Sequence, residues 1–232
     1  MLAYGRNTVL EALRSKFNID TLFLEDGIDE SEKIALIKNL AKKNKVAIKY
    51  TPRKELAKMT ENREHQGVAC FVDYEYTQLS DELFYEEKPY VFIYDSTFEQ
   101  NVGAIVRTVE CAGFGGVIIP KDVKITPTVA KISTGAVFHT NVIQGSIFQT
   151  IKYFKERGYF IYGIERGGDI YTGKALNNNG LYIIGGEDKS LSEEVVEKCD
   201  EVLTIPQFGL VNSLNMSVAA SIIMFEVVRQ NS

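Results

Sequence analysis

The sequence predicts an α/β protein: a small α/β unit, then a larger one in which a mostly parallel sheet carries helices on both faces. Three observations carry this. From residue 90 onward, apolar runs of strand length alternate with stretches of helical period, as strands joined through crossover helices do. A shorter alternation of the same kind precedes it, and between the two, residues 74–89 hold Pro89, several carboxylates and little periodicity. A chain of 232 residues with 45% apolar content is also long enough for one large core or two small ones.

Taken in order, residues 8–14 read as a helix and 21–24 as a strand. Residues 30–43 form an amphipathic helix, because Ile34, Ile37, Leu40 and Ala41 share one face. Strands follow at 46–50 and 68–72. The first domain is expected to span residues 1–75, a linker 76–89 with a short helix near 80–84, and the second domain 90–232. Within the second, strands are expected at 90–94, 116–119, 141–144, 159–164, 181–184 and 201–204. Helices are expected at 104–111, 127–133, 147–157, 191–198 and 218–229. Ordinary connection rules would make this an open, unknotted sheet of Rossmann type.

Composition removes several classes. No apolar run approaches the ~18 residues of a membrane span, and the opening MLAYGRNTVLEALRSK has charges where a signal peptide would be unbroken, so a cytoplasmic protein is expected. Cys70, Cys111 and Cys199 are odd in number, widely spaced and each beside apolar residues, and they read as buried thiols in a reducing compartment. Two histidines are too few for a metal cluster, and no metal is expected. The net charge is −5, yet residues 1–76 hold 13 Lys or Arg against 12 Asp or Glu, so the acidity lies in the remainder. Lys38, Lys42, Lys43, Lys45 and Lys49, followed by Arg53, Lys54, Lys58 and Arg63, read either as a solvated face or as a phosphate-contacting one.

The chemistry sits in three short segments at the ends of apolar runs: NVGAIVR at 101–107, GGE at 185–187 and SLN at 213–215. In the first, Ile105, Val106, Val109 and Ala112 form the apolar stripe of a helix, and Asn101 and Arg107 fall off it. The third precedes the helix at 218–228, with Ser217 expected as its N-cap. Strand ends and helix starts are where open α/β sheets bind ligands. GDIYTGK at 168–174 has the glycine and lysine spacing of a P-loop, but Ala175 stands in place of the metal-binding hydroxyl and turn residues 177–180 leave no room for the helix, so nucleotide hydrolysis is excluded. Gly113, Gly115 and Gly116 lack a dinucleotide fingerprint and read as a turn.

Together the three segments resemble the motifs of the SpoU-type RNA 2′-O-ribose methyltransferases of the SPOUT superfamily. The resemblance also takes in Asp95, Gly103, Pro120, Lys131, Gly135, Ile205, Pro206, Ser217 and Ala219, and, near the start, YGRN at 4–7, Glu11 and HQG at 65–67. It implies a catalytic domain in which the chain from about residue 183 threads a trefoil knot, preceded by a small RNA-binding domain. It implies S-adenosylmethionine as cofactor, held by Gly185, Gly186, Ile205, Pro206 and Leu214 with a further wall from Gly163. Arg107, Asn101, Glu187, Ser213 and Asn215 would face the target nucleotide. Leu203 and Met216 would lie nearby, chiefly as core.

Each residue has a plainer alternative: a surface arginine for Arg107, an N-cap for Asn101, a turn for Gly185 and Gly186. A guanidinium with pKa above ~12 stays charged, so Arg107 is expected to hold phosphate and stabilise the 2′-oxygen rather than take its proton. The resemblance implies a homodimer, for which helix 218–228 is the expected surface, the alternative being intramolecular core. It implies an RNA substrate, a guanosine of large-subunit rRNA first and tRNA second. A non-catalytic RNA-binding or ribosome-assembly protein on the same fold is the rival reading. Asn141, Ser190 and residues 98–100 depart from the family pattern, which bears on loop geometry and RNA target.

Overall fold

The computed structural model describes every residue except 62–63, 85–86, 97, 187–189 and 211–212. Arg63 and Glu187 therefore lie outside the described residues. The chain runs β1 (Leu2–Tyr4), α1 (Arg6–Arg14), β2 (Ile19–Glu25), α2 (Glu32–Lys43), β3 (Ala47–Thr51), α3 (Arg53–Thr60) and β4 (Val68–Val72). It continues through β5 (Tyr90–Ile93), α4 (Glu99–Cys111), β6 (Gly116–Ile119), α5 (Pro127–Ile132), β7 (Val142–Gln144) and α6 (Ile147–Lys155). It ends with β8 (Phe160–Ile170), β9 (Gly180–Ile184), α7 (Glu193–Val196), β10 (Glu201–Thr204) and α8 (Met216–Asn231). Two compact units result: residues 1–75 with 125–139, and residues 76–124 with 140–232.

The first unit holds a four-stranded sheet in the order β1-β4-β2-β3, with β2 parallel to β3 and β4 antiparallel to both its neighbours. β1 escapes the periodicity reading because three residues are too few to show alternation. α2 forms as expected: Ser31 caps it by accepting from Ile34 N, Glu32 and Lys42–Lys43 sit at the ends the helix dipole favours, and Ile34, Ile37 and Ala41 are buried. The segment 125–139 packs here as α5, capped by Thr126 with Pro127 in its first turn, and as a short 3-10 turn at Ala136–Phe138. Gly135 makes the approach to α1 possible, since it has φ +91° and a Cβ there would lie 2.6 Å from Glu11 Cβ. His139 Nε2 meets Glu11 Oε2 at 3.0 Å, and Phe138 packs its ring on Phe17 and Tyr74.

The second unit is a six-stranded, wholly parallel sheet in the order β10-β8-β9-β5-β6-β7. Every residue of β5, β6 and β9 is buried, which is why these strands read as continuous apolar runs instead of alternating ones. One face packs Tyr90, Phe92, Phe154, Tyr159, Ile161 and Leu181. Residues 76–89 add to it: Phe84 places its ring 5.0 to 5.8 Å from those of Tyr90, Tyr153, Phe154 and Tyr159, and Leu83 O accepts from the Tyr90 hydroxyl. The short helix expected near 80–84 is a 3-10 turn at Asp81–Phe84. On the other face Tyr162 and Tyr182 stack at 4.7 Å, and α4 is tied to α8 by the Thr108 and Ser221 hydroxyls at 3.3 Å.

β8 is longer than the apolar run predicted. Its pairing with β10 jumps from Gly163↔Val202 to Asp169↔Leu203, so residues 164–168 bulge out of the ladder at the carboxyl end of the sheet. Sequence period cannot show such a jump, because the bulged residues Glu165, Arg166, Gly167 and Gly168 are polar or glycine and break the apolar run.

Candidate active site

The bulge in β8, the end of β9, the end of β10 and the chain leading into α8 surround one cleft at the strand ends. Gly185, Gly186, Ile205 and Leu214, expected to hold the cofactor, line it together with Ser213, which was expected to face the target nucleotide. Gly163 lies one residue below the rim: it is buried in β8, where a Cβ would touch Cys199 Sγ at 3.0 Å and Leu191 Cδ1 at 3.1 Å. Pro206 is not among the described lining residues, although its neighbours Ile205 and Gln207 are. Met216 is both core and wall, while Leu203 is core alone.

Gly185 is a glycine because of its surroundings. A Cβ there would stand 2.8 Å from Glu165 Oε2 and 3.1 Å from the Ile164 carbonyl oxygen. Glu165 is one of the lining residues that sequence reading missed, with Arg166, Thr204 and Gln207. Its Oε2 accepts from Leu191 N at 2.9 Å and its Oε1 from Arg166 N at 2.8 Å, so one carboxylate joins the β8 bulge to the chain beyond β9. The available signal was a carboxylate directly after a buried strand run, at the strand end where ligands bind. Thr204, Ser190 and Gln207 add hydrogen-bonding groups to an otherwise apolar wall of Ile164, Ile184, Ile205 and Leu214.

The polar side is carried by α4 and α8. Asn101, in the first turn of α4 and 4% exposed, accepts at Oδ1 from Asn215 Nδ2 at 2.9 Å. Asn215 is the N-cap of α8: its Oδ1 accepts from Ser217 N. Ser217, expected as the cap, is instead inside the first turn, because the amide reaches the N–H two residues on. Ser213 and Leu214 therefore face the cleft, and the next residue, Asn215, joins α8 to Asn101. Arg107 lies on the exposed face of α4, and none of the described cleft residues comes from that helix. Its charge is felt at Cys111, which is exposed and not buried as expected, because it ends α4 on the solvent side; partial desolvation and Glu110 push its thiol up, with Arg107 opposing. Among the described residues no group of His, Cys, Asp and Glu is placed to hold a metal ion, and no helix is long and apolar enough to cross a membrane.

The SpoU rRNA Methylase family matches residues 88–225, and the RNA 2′-O ribose methyltransferase substrate-binding family matches residues 2–77. A TrmH-family tRNA/rRNA methyltransferase of Staphylococcus haemolyticus is 37% identical over 97% of this chain and 94% of its own. One from Bacillus subtilis is 36% identical over 98% and 95%. Among solved structures, an AdoMet-bound rRNA methyltransferase from Sinorhizobium meliloti superposes with TM-score 0.84 at 22% identity, covering 98% of this chain and 86% of its own. Parallel sheet, strand-end cleft and these likenesses together define an RNA methyltransferase of SpoU type. The chain belongs to the SpoU rRNA methylase family, as its three motifs implied.

Proposed function

We propose that this protein methylates the ribose 2′-hydroxyl of a structured RNA, with a guanosine of large-subunit rRNA as first target and tRNA as second. The observation that carries the reading is the continuity of one segment: Ser213 and Leu214 line the cleft and Asn215, directly after them, bonds to Asn101 on α4. Cofactor and nucleotide sides are thus adjoining residues of one chain.

The cleft fits an adenosine. Gly185 admits close backbone approach, Ile205 and Leu214 supply apolar faces, and Thr204, Ser190 and Gln207 supply polar partners. S-adenosylmethionine supplies an electrophilic methyl group on a sulfonium. The protein's task is then positioning, since the displacement must be in line. Gly185, Gly186, Ile205 and Leu214 hold the cofactor, with Pro206 and Gly163 shaping the wall behind. Ser213, Asn101 and Asn215 orient the ribose, and Glu187 accepts a hydrogen bond. Arg107 holds a phosphate and stabilises the 2′-oxygen as charge grows on it.

Its exposure suits a residue that meets a large partner. α8 carries Val218 and Phe225 exposed, at 46% and 50%, which supports this helix as the surface of a homodimer. A trefoil knot formed by the chain from about residue 183 and a cytoplasmic setting belong to the same reading. The test is transfer from labelled S-adenosylmethionine to protein-free rRNA and to bulk tRNA. Ribose-retained label is expected in one RNA, and Arg107→Ala is expected to lose about 10²–10³-fold in rate with cofactor affinity intact. Cofactor binding without label in either RNA would overturn the claim that naked RNA is the substrate.

A further inference from the structure

Glu165 follows the apolar run of β8 and lines the cleft. Among the described lining residues it is the one carboxylate; the other polar side chains there are a guanidinium, three hydroxyls and an amide. Both of its oxygens are held by the main chain: Oε1 accepts from Arg166 N at 2.8 Å and Oε2 from Leu191 N at 2.9 Å. A carboxylate bonded at both oxygens cannot turn about its last bond without breaking one of them, so its plane is fixed. It offers about four acceptor positions, and these two bonds use one on each oxygen. One further position on each oxygen is left, the two side by side in one plane. Gly185 stands next to it, where a Cβ would come within 2.8 Å of Oε2, so the absence of a side chain keeps the carboxylate uncrowded.

Two coplanar acceptors suit a ligand that carries two donors on neighbouring atoms. An adenosine has one such feature, the 2′- and 3′-hydroxyls of its ribose, and an acidic side chain reads a ribose in the same way in dinucleotide folds. The ammonium of an amino-acid portion is a compact point charge that a carboxylate in any orientation would serve, so it gives no reason to fix both oxygens. We propose, on the reading of this cleft as the S-adenosylmethionine site, that Glu165 accepts from both ribose hydroxyls of the cofactor. The cleft is thereby selective for a ribonucleoside over its deoxy forms, and the bonds to Arg166 N and Leu191 N are what aim the carboxylate.

Calorimetric titration of the full chain with S-adenosylhomocysteine tests this without turnover, since that molecule keeps the nucleoside and has no methyl group to transfer. The wild type should bind the 2′-deoxy and 3′-deoxy forms about 10- to 100-fold more weakly each, the worth of a hydrogen bond to a carboxylate. Glu165→Ala should bind all three forms within about threefold of one another, as expected once no acceptor tells them apart. The ratio between forms is the readout, because a wall loosened by the lost Leu191 bond weakens all three alike. Glu165→Gln keeps the shape with one acceptor oxygen in place of two, and its ratios should fall between those of wild type and Glu165→Ala; it carries the comparison if the alanine variant binds nothing.

Equal affinity of the wild type for all three forms overturns the proposal, as does undiminished discrimination in both variants, which would give the hydroxyls to another group. 5′-Methylthioadenosine, which lacks the amino-acid portion, should lose affinity in the variants as S-adenosylhomocysteine does. If only S-adenosylhomocysteine weakens, Glu165 reads the ammonium and the proposal fails. A wild type that binds no S-adenosylhomocysteine overturns the reading of the cleft itself, and this proposal with it.

Discussion

The two units are written in the same strand-and-helix vocabulary and solve different problems. In the second, β5, β6 and β9 are buried along their whole length and flanked by helices on both faces. In the first, β3 is an edge strand with its first four residues exposed. A sheet buried on both faces gives strand ends that cannot shift independently, and the cleft is built on those ends. A thinner sheet with an open edge gives area in place of rigidity, which suits a large polyanion met by long, solvated side chains. Depth goes with chemistry here, and surface with recognition.

The largest expected effect tests the deep side. Gly185→Val places atoms where Glu165 and the Ile164 carbonyl already stand, and should weaken S-adenosylmethionine binding by at least about tenfold, roughly the cost of overpacking a rigid site, without changing RNA affinity. Calorimetric titration of the cofactor checks it, and intact binding would mean the rim is softer than its burial implies. A smaller effect tests the open side. Lys42→Ala with Lys43→Ala should leave cofactor binding alone and weaken RNA binding several-fold, lowering the slope of log affinity against log salt by about 1–2. An unchanged slope would return those lysines to the role of a solvated helix face.

The smallest effect concerns a buried polar group of the first unit. His65 is 1% exposed and its Nδ1 accepts from Gly67 N at 3.0 Å, so Nε2 carries the proton of a neutral ring. Burial pushes its pKa below the ordinary value. The unfolded chain then takes up a proton before the folded one does, so stability is full above about pH 6.5 and is lost as pH falls toward the folded pKa. Amide exchange of β1 and β4 should show less protection against local opening at pH 5.5 than at pH 7.5, after correction for intrinsic rates. His65→Gln should flatten that dependence.

Sequence pattern reached most of the second sheet, because a strand buried on both faces announces itself as an apolar run. It reached Gly185, Gly186, Ile205, Ser213 and Leu214 through motif resemblance and strand-end placement together. It missed what depends on pairing between distant strands. The jump of β8 against β10 brings Glu165 to the cleft, yet it lies in a register that no single segment encodes. Capping of α8 by Asn215 in place of Ser217 was a near miss of the same kind, since both residues cap well and only the loop's path decides between them. Phe84, inside a stretch without period, seats itself among four aromatic rings because one large apolar side chain needs no pattern to be buried.

Residues 125–139 leave the second unit after β6, pack with residues 1–75, and come back for β7. A cut at residues 76–89 therefore does not yield two self-sufficient pieces. A fragment beginning at Tyr90 would keep Val137 and Phe138, buried in the intact chain, but not the partners of Phe138, Phe17 and Tyr74. Exchange of the first unit between relatives has to carry two separated stretches of gene, so recombination at a single junction produces mismatched hybrids.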